Sequence, residues 1–566
     1  MQRRTFVAIV TGATLYAAAL RLYELPSAGA VYMDDLRAYS GTAVIEALTR
    51  PDASIKERIG FAYRASIEET GARPALAWLA AIPAALGFDR LGDLYLPFAL
   101  LATATIPLVG LLGRRLLDAP SGAFAAIWLA ASAGHVNFAR SAMPPTPAAF
   151  FMVLGLLVLC WNGDSPSRRR LRIVTCGVAF GVATMFHPAY VSYLVLPAIA
   201  LLIDAWRHRG TRPLSAAALD LVVLALPTPL LVLAYDLPGI VPDLARGAFR
   251  ASELLYARGW WTLLHTPDVY GRPEGPAFFP SYLVAAEGAV RAAVTLVATV
   301  ALCVIGIRGH ARDRTYATLL LWLVVPWIAW SFGGQVKAHG RIYAPLFPVL
   351  ALIVGAAAGA AYEQLRERRA TMARVAYSGA AAAGLMFGTL ASVALIQLPG
   401  RDYLVGNALR RVTPSRALAW VHADTIALAA DSMVVTYRVD EARDAVCRQG
   451  VRYIVLSPSS IHLAIEHRRF LFDELALRPV ATYANPYKLR VRLMEDTDPD
   501  QRDSILNDPD FDRLGLYQVG TGVACGRPAT QSSAGQVDRQ RRDSTASGPI
   551  VPAQSARGSA RVMMQR

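Results

Sequence analysis

Two adjacent carboxylates, Asp34 and Asp35, sit in the stretch Tyr32-Met33-Asp34-Asp35-Leu36-Arg37-Ala38-Tyr39, past the first apolar run of the chain. On a helix, Asp34 shares a face with Arg37 (i, i+3) and Asp35 with Tyr39 (i, i+4). A carboxylate pair can take a proton from a hydroxyl nucleophile, or it can hold a hard divalent cation. It can also simply N-cap a helix running through Leu48. On the pair alone the capping reading stands first. Charge at a membrane edge is costly, however, and the architecture around the pair shifts the balance towards chemistry.

Cations and aromatic residues gather in three other places. The turn Gly333–Pro345 carries Lys337, His339 and Arg341, with Tyr343 just beyond. Phe138-Ala139-Arg140-Ser141 ends an apolar run on a positive charge. The stretch 238–280 carries Tyr256, Arg258, Trp260, Trp261, His265, Asp268, Tyr270, Arg272 and Glu274. Guanidinium forks suit an anionic oxygen cluster such as a phosphate. Trp260 and Trp261 read either as a membrane-interface belt or as part of a mobile loop closing over a lipid-held substrate.

The elements that must position these residues follow from composition. With 566 residues, 54% hydrophobic and only 17% charged, the chain is too apolar for an ordinary soluble protein. Its positive mean hydropathy points to many membrane spans. The net charge of +15 falls mainly in Arg clusters between apolar runs and in the tail, the pattern of a cytoplasmic membrane face rather than of nucleic-acid binding. Five cysteines show no metal-binding spacing. No HExxH, Walker A or strand-linked GxGxxG motif occurs, which argues against zinc-peptidase and nucleotide-driven classes.

Met1-Gln2-Arg3-Arg4 precedes an apolar run from Phe6 to Tyr23, expected as an uncleaved anchor; a signal peptide cut near Ala17–Ala19 is the competing reading. Residues 24–73 form a long charged loop, with helical periodicity at Leu36–Leu48 and Ile55–Glu69 suggesting helices that lie on the interface. Apolar runs then follow at 92–113, 119–138, 144–162, 171–187, 188–205, 214–237, 281–307, 315–332, 341–362 and 375–397. His187-Pro188 reads as a kink between two of them. If Met1 is cytoplasmic and 74–88 does not cross, every Arg cluster between runs lands inside, giving about eleven crossings. The Asp34 loop, the 135–147 turn, the 238–280 loop, the 333–341 turn and everything after about Leu398 then face outward. Three basic residues in the 333–341 turn break the positive-inside trend, and an anionic ligand supplies the reason. Gly355 and Gly359, with Ala between them, fit close helix packing in lipid.

From residue 399 the composition changes. Helices are expected at Ala417–Leu428, Glu441–Gly450 and Ile461–Leu475, and strands at Ser432–Tyr437, Val451–Leu456, Val480–Tyr483, Leu489–Met494 and Leu516–Val519. The expected domains are therefore a transmembrane domain over 1–398, an extracytoplasmic α/β domain over 399–525 and a disordered tail over 526–566. Cys447 and Cys525 would share an oxidising compartment, where a bridge between them is one reading.

Four places in order make the sequence resemble a known family. They are Asp34-Asp35 after the first span; Arg73-Pro74-Ala75-Leu76 opening an apolar segment; Phe138-Ala139-Arg140-Ser141-Ala142-Met143-Pro144; and Arg341-Ile342-Tyr343-Ala344-Pro345-Leu346-Phe347-Pro348. Together they resemble the membrane glycosyltransferases of the GT-C fold, the protein-mannosyltransferase and aminoarabinose-transferase-like group. The resemblance implies a polytopic α-helical fold and a polyprenyl-phosphate-linked sugar donor. The acceptor it leaves unspecified: protein, lipid or polysaccharide. It further implies that Asp34, with Asp35 in the place of the usual Glu, supplies the catalytic base. Arg73, Arg140, Lys337, Arg341 and Tyr343 would bind the donor phosphate, and Tyr256, Arg258, Trp260 and Trp261 would form a substrate loop. Asp-Asp and Arg-Pro depart from the family's commoner Asp-Glu and His-Pro or Lys-Pro, so the base stays open between Asp34 and Asp35. Whether the carboxylates hold a divalent metal stays open too. The membrane expected is a bacterial-type inner membrane, with the N-terminus cytoplasmic. The alternative functions are a carrier or flippase for lipid-linked sugars, and a catalytically silent relative.

Overall fold

The computed structural model describes all residues except 28–36, 89–90, 162–165, 209–212, 245–253, 266–274, 308–312, 333–339, 397–400, 413–416, 421–432, 437, 460–464, 485–490, 492–493, 495–501, 503–504, 509, 511–512 and 522–566. Asp34, Asp35, Lys337, His339 and Cys525 lie outside the described residues. The chain forms two units: Met1–Gly400 with Asn485–Leu506, and Arg401–Ala484 with Asn507–Arg566.

The first unit is helical. It opens with α1 (Arg3–Leu22), α2 (Ser40–Thr49), α3 (Ile55–Glu68), α4 (Pro74–Ala85), α5 (Leu91–Leu94) and α6 (Leu96–Leu116). Then come α7 (Ala119–Ala130), α8 (Ala133–Ala139), α9 (Pro145–Leu159), α10 (Pro166–Phe186), a 3-10 segment at Pro188–Leu194, α11 (Val195–Arg207), α12 (Leu214–Ala225), α13 (Pro227–Tyr235) and α14 (Leu237–Leu244). Helices α15 (Leu255–His265), α16 (Phe278–Glu287), α17 (Ala289–Ile307), α18 (Asp313–Phe332), α19 (Gly340–Tyr343), α20 (Phe347–Arg368) and α21 (Ala370–Ile396) complete it.

Among the described residues, seven helical segments are long and apolar enough to cross a membrane: Arg3–Ser27, Gly92–Leu116, Pro188–Arg207, Leu214–Tyr235, Thr315–Phe332, Gly340–Arg368 and Ala370–Ile396. The other four runs in the expected set of about eleven are one that breaks between α7 and α8, one that breaks at Gly288 ahead of the 19-residue α17, the 15-residue α9, and α10, which begins on an Arg cluster. Helix α4 has 12 residues, a rise of about 18 Å against a hydrocarbon core of about 30 Å. Large apolar side chains such as Leu15, Val222, Leu296, Val300 and Leu390 stand exposed on these helices, as a lipid-facing surface requires.

Small residues set the closest helix contacts. A Cβ at Gly355 would lie 2.4 Å from the Ser121 carbonyl oxygen, and one at Gly122 would lie 2.3 Å from that of Gly110. Helices α6, α7 and α20 thus meet backbone to backbone. His187 makes the expected sharp turn: its Nδ1 accepts from the Ala189 N–H (3.2 Å), capping the 3-10 segment.

The second unit contains α22 (Arg401–Val412), β1 (Ala417–Trp420), β2 (Met433–Thr436), α23 (Val439–Cys447), β3 (Tyr453–Leu456), α24 (Ile465–Arg469), β4 (Arg478–Tyr483) and β5 (Leu514–Gln518). Strand order is β2-β1-β3-β5-β4; β1 runs parallel to β2 and β3, and β5 antiparallel to β3 and β4. The α/β class holds, with two corrections. Ala417–Trp420 is a strand, not the start of a helix. Its residues favour helix, but all four are buried and the strand pairs on both sides, so tertiary burial decides. The segment expected as a strand at 489–494 has helical backbone at Val491 and Met494; both side chains pack on the core of the first unit. Cys447 is disulfide-bonded, whereas Cys160, Cys176 and Cys303 are free.

Candidate functional site

Helix α3 starts on a capping box: the Glu57 N–H donates to Ser54 Oγ (3.4 Å) and the Ser54 N–H to Glu57 Oε2 (2.9 Å). The Ser54 N–H and then its hydroxyl (2.8 Å), both donating to Oε2, favour the ionised form and hold the Glu57 carboxyl below its usual range. At its far end the chain turns through Gly71 (φ 60°) and Ala72 (φ 59°). Positive φ at Ala72 costs on the order of 1–3 kcal/mol, and the turn delivers Arg73, which is 4% exposed. The Arg73 N–H donates to Thr70 Oγ1 (3.0 Å), and Pro74 opens α4. The Arg37 guanidinium lies against the same turn, 3.8 Å from where a Cβ on Gly71 would sit. The described part of the first loop therefore sets two cations, Arg37 and Arg73, at one turn. Helix α2 starts at Ser40 with Tyr39 as its N-cap residue.

Helix α15 lies over that turn. A Cβ on Gly259 would be 2.7 Å from Ala72 Cβ, so glycine is what lets the helix approach. Its N-terminus is held by Asp236, a fully buried carboxylate at the end of α13. The Tyr256 N–H donates to Asp236 Oδ1 (2.8 Å) and the Ala257 N–H to Oδ2 (2.8 Å). The Tyr63 hydroxyl of α3 donates to Oδ1 (2.5 Å). Negative charge at a helix N-terminus is stabilising. Burial first, and then the Asp236 bond, push the Tyr63 phenol above its ordinary range.

The expected substrate loop thus divides. Tyr256 is fully buried against Tyr235. Trp260 packs on the same cluster. Arg258 and Trp261 are exposed.

Arg341 stands on the single turn α19. The Tyr190 hydroxyl donates to the Arg341 carbonyl (3.4 Å) and the Tyr193 hydroxyl to that of Ile342 (2.6 Å). On the other side, Phe279 stacks on Tyr343 with centroids 4.7 Å apart. Gly340 sits under the Tyr282 ring, where a Cβ would be 2.5 Å from Cε2. Arg341 is 9% and Tyr343 1% exposed. The 3-10 segment that carries Tyr190 and Tyr193 also touches α15. One continuous set of contacts therefore runs from Arg73, through α15 and the Tyr190 segment, to Arg341. The Arg502 guanidinium, from the C-terminal stretch that groups with this unit, lies 5.2 Å from the Phe278 ring centroid, and Phe278 lies 6.1 Å from Tyr343.

Arg140 has different partners. Its NH1 donates to the carbonyls of Leu20 (3.4 Å), Arg21 (3.1 Å) and Tyr23 (2.8 Å), and its NH2 to that of Glu24 (3.5 Å). Sequence reasoning missed Asp236, Tyr190 and Tyr193, as well as the buried charges Arg21, Glu287 and Arg291. Lone ionisable residues inside apolar runs were the available signal for the last three. Among the described residues, no group of three or more His, Cys, Asp or Glu could hold a metal ion.

Residues 71–233 match the family model described as Dolichyl-phosphate-mannose-protein mannosyltransferase. That stretch includes Arg73 and Arg140. No curated protein matches the sequence. ArnT from Cupriavidus metallidurans bound to undecaprenyl phosphate superposes with a TM-score of 0.52 and 15% identity, over 93% of this chain and 100% of that one. Its apo state gives 0.50 and 15%, over 93% and 98%. The Archaeoglobus fulgidus oligosaccharyltransferase tethered with an acceptor peptide gives 0.49 and 14%, over 81% and 69%. The chain thus has the GT-C fold expected of it, shared with ArnT along nearly its whole length, and its residues 71–233 carry the pattern of the mannosyltransferase family.

Proposed function

We propose that the protein transfers a sugar from a polyprenyl-phosphate-linked donor to an acceptor hydroxyl at the extracytoplasmic face of the membrane. The observation that carries this reading is the linked placement of Arg37, Arg73 and Arg341 in a GT-C fold whose first loop bears Asp34 and Asp35. The donor class is supported by the ArnT structure, which was determined with undecaprenyl phosphate.

In this reading Asp34 or Asp35 takes the acceptor proton. The acceptor oxygen attacks the anomeric carbon, the bond from that carbon to the phosphate oxygen breaks, and its electron pair leaves on the phosphate. Arg73 and Arg341, with Lys337, stabilise the growing charge. Arg140, engaged with four carbonyls, serves position rather than phosphate. Arg258 and Trp261 remain the loop residues available to substrate. An inner membrane with the C-terminal unit outside is supported by the disulfide at Cys447 and by the Arg pattern.

The carrier reading would gain from two broken membrane segments, since broken helices form cargo sites in transporters. Here the breaks are closed by Arg21, Glu287 and Arg291, which favours the transferase. The test is incubation of purified protein in lipid discs with a polyprenyl-phosphate sugar, following released polyprenyl phosphate. Transfer that persists unchanged in folded Asp34→Asn and Asp35→Asn variants would remove the base assignment. Movement of the donor across a bilayer without release would favour the carrier.

A further inference from the structure

Two membrane segments break where they meet. Residues 119–139 break between α7 and α8, and residues 278–307 break at Gly288, which has φ 81°. In lipid every backbone group freed by a break needs a protein partner. The carbonyls of Leu129 and Ala130 accept from Arg21 NH2 (3.3 Å) and NH1 (3.0 Å), and that of Trp128 from Arg291 NH2 (2.7 Å). At the start of α8, the Gly134 N–H donates to Glu287 Oε1 (3.0 Å) and the His135 N–H to Ser132 Oγ (3.3 Å). Ser132 Oγ itself donates to Glu287 Oε1 (2.5 Å), and Arg291 Nε to Glu287 Oε2 (2.8 Å). Helix α21 comes close enough to join in because Gly388 has no side chain: a Cβ there would lie 2.3 Å from the Ala131 carbonyl oxygen.

The other end of α8 carries Arg140, whose guanidinium reaches back to the last carbonyls of α1. In return Arg21, in the last turn of α1, reaches into the α7–α8 break and donates to His135 Nδ1 (2.9 Å). The end of α1 and the seven residues of α8 therefore hold each other at two points. The first outward loop starts at this junction. Glu24 has φ 45°, and its carbonyl accepts from the Ser27 N–H (3.0 Å) and Oγ (2.8 Å). Asp34 and Asp35 follow ten and eleven residues on from Glu24.

We infer that Glu287 is a positioning residue: by capping α8 it holds Arg140 on the end of α1, and so fixes the root of the loop that carries Asp34 and Asp35. For its kinetic arm the inference rests on the transferase reading above. Small displacements of a reacting group can cost about 10²-fold in rate. Glu287→Gln and Arg140→Ala should therefore lower kcat by roughly 10- to 100-fold per folded molecule, with donor KM little changed. Arg140→Lys should restore part of the loss. Hydrogen exchange of the amides over residues 24–27 should speed up in the same variants and slow again in Arg140→Lys.

A purely structural role would lower the amount of folded protein and leave kcat per folded molecule and the 24–27 exchange alone; that outcome overturns the inference. If wild-type protein releases no polyprenyl phosphate, the transferase reading fails while the exchange measurement still decides the positioning role. If Glu287→Gln does not fold, the Arg140 pair decides it.

Discussion

Removing the Asp236 carboxylate should release α15 from the first loop without unfolding the bundle. Asp236 accepts from two backbone N–H groups and the Tyr63 hydroxyl, and it is fully buried. Asp236→Ala leaves three donors in an apolar cluster with Tyr235, Val232 and Ile67. At about 1–3 kcal/mol for each unsatisfied group, the docked position loses on the order of 3–9 kcal/mol, more than a local helix–loop contact can absorb. Asp236→Asn keeps one oxygen and the shape. It should lose about 1–3 kcal/mol, from one bond and from the charge at the helix N-terminus. The assay is hydrogen exchange over 254–265 together with limited proteolysis of the 238–280 stretch. The expected order of protection is wild type, then Asn, then Ala, with the α20 amides unchanged. If Asp236→Ala leaves 254–265 as protected as in wild type, Asp236 is not what holds the helix down.

The remaining expectations are narrower. Gly259→Val should lift α15 off Ala72, reproducing the Asp236→Ala exchange pattern while keeping the Asp236 bonds; protection equal to wild type would refute the close-approach argument. Arg341→Lys keeps charge but loses the planar fork, so donor KM should rise about ten-fold or more; an unchanged KM would remove Arg341 from the phosphate. The Glu57 carboxyl is held below its ordinary value by Ser54. Its capping contribution is therefore present above the ordinary glutamate range and lost as pH falls through the lowered value. Amides 54–58 should fray in acid, and Glu57→Gln should abolish that dependence. Reducing the Cys447 disulfide should lower the unfolding temperature of the second unit and leave polyprenyl phosphate release intact.

How much could be seen beforehand depended on how local the cause was. The helix at Ile55–Glu68 lies where periodicity put it, and the one at Val439–Cys447 overlaps the expected 441–450, because apolar faces are written in neighbouring residues. The turn at His187 and the opening of α4 at Pro74 followed from proline chemistry. Ala417–Trp420 became a strand because two partners distant in sequence bury it. The partners of Arg140 could not be read beforehand, because the four carbonyls that take its donors lie more than 110 residues earlier in the chain.

The sequence by itself determined that this is a membrane protein of alternating apolar runs and Arg clusters, with a small α/β region towards its C-terminus. Those features depend on composition and on charge counted along the chain. Only the tertiary structure decided which cations share a surface, that Tyr256 faces inward, and that lone charges at Arg21, Glu287 and Arg291 close breaks in membrane helices. The reason is physical: inside lipid a freed backbone group must find its partner wherever the fold brings one, and no spacing along a single run states where that will be.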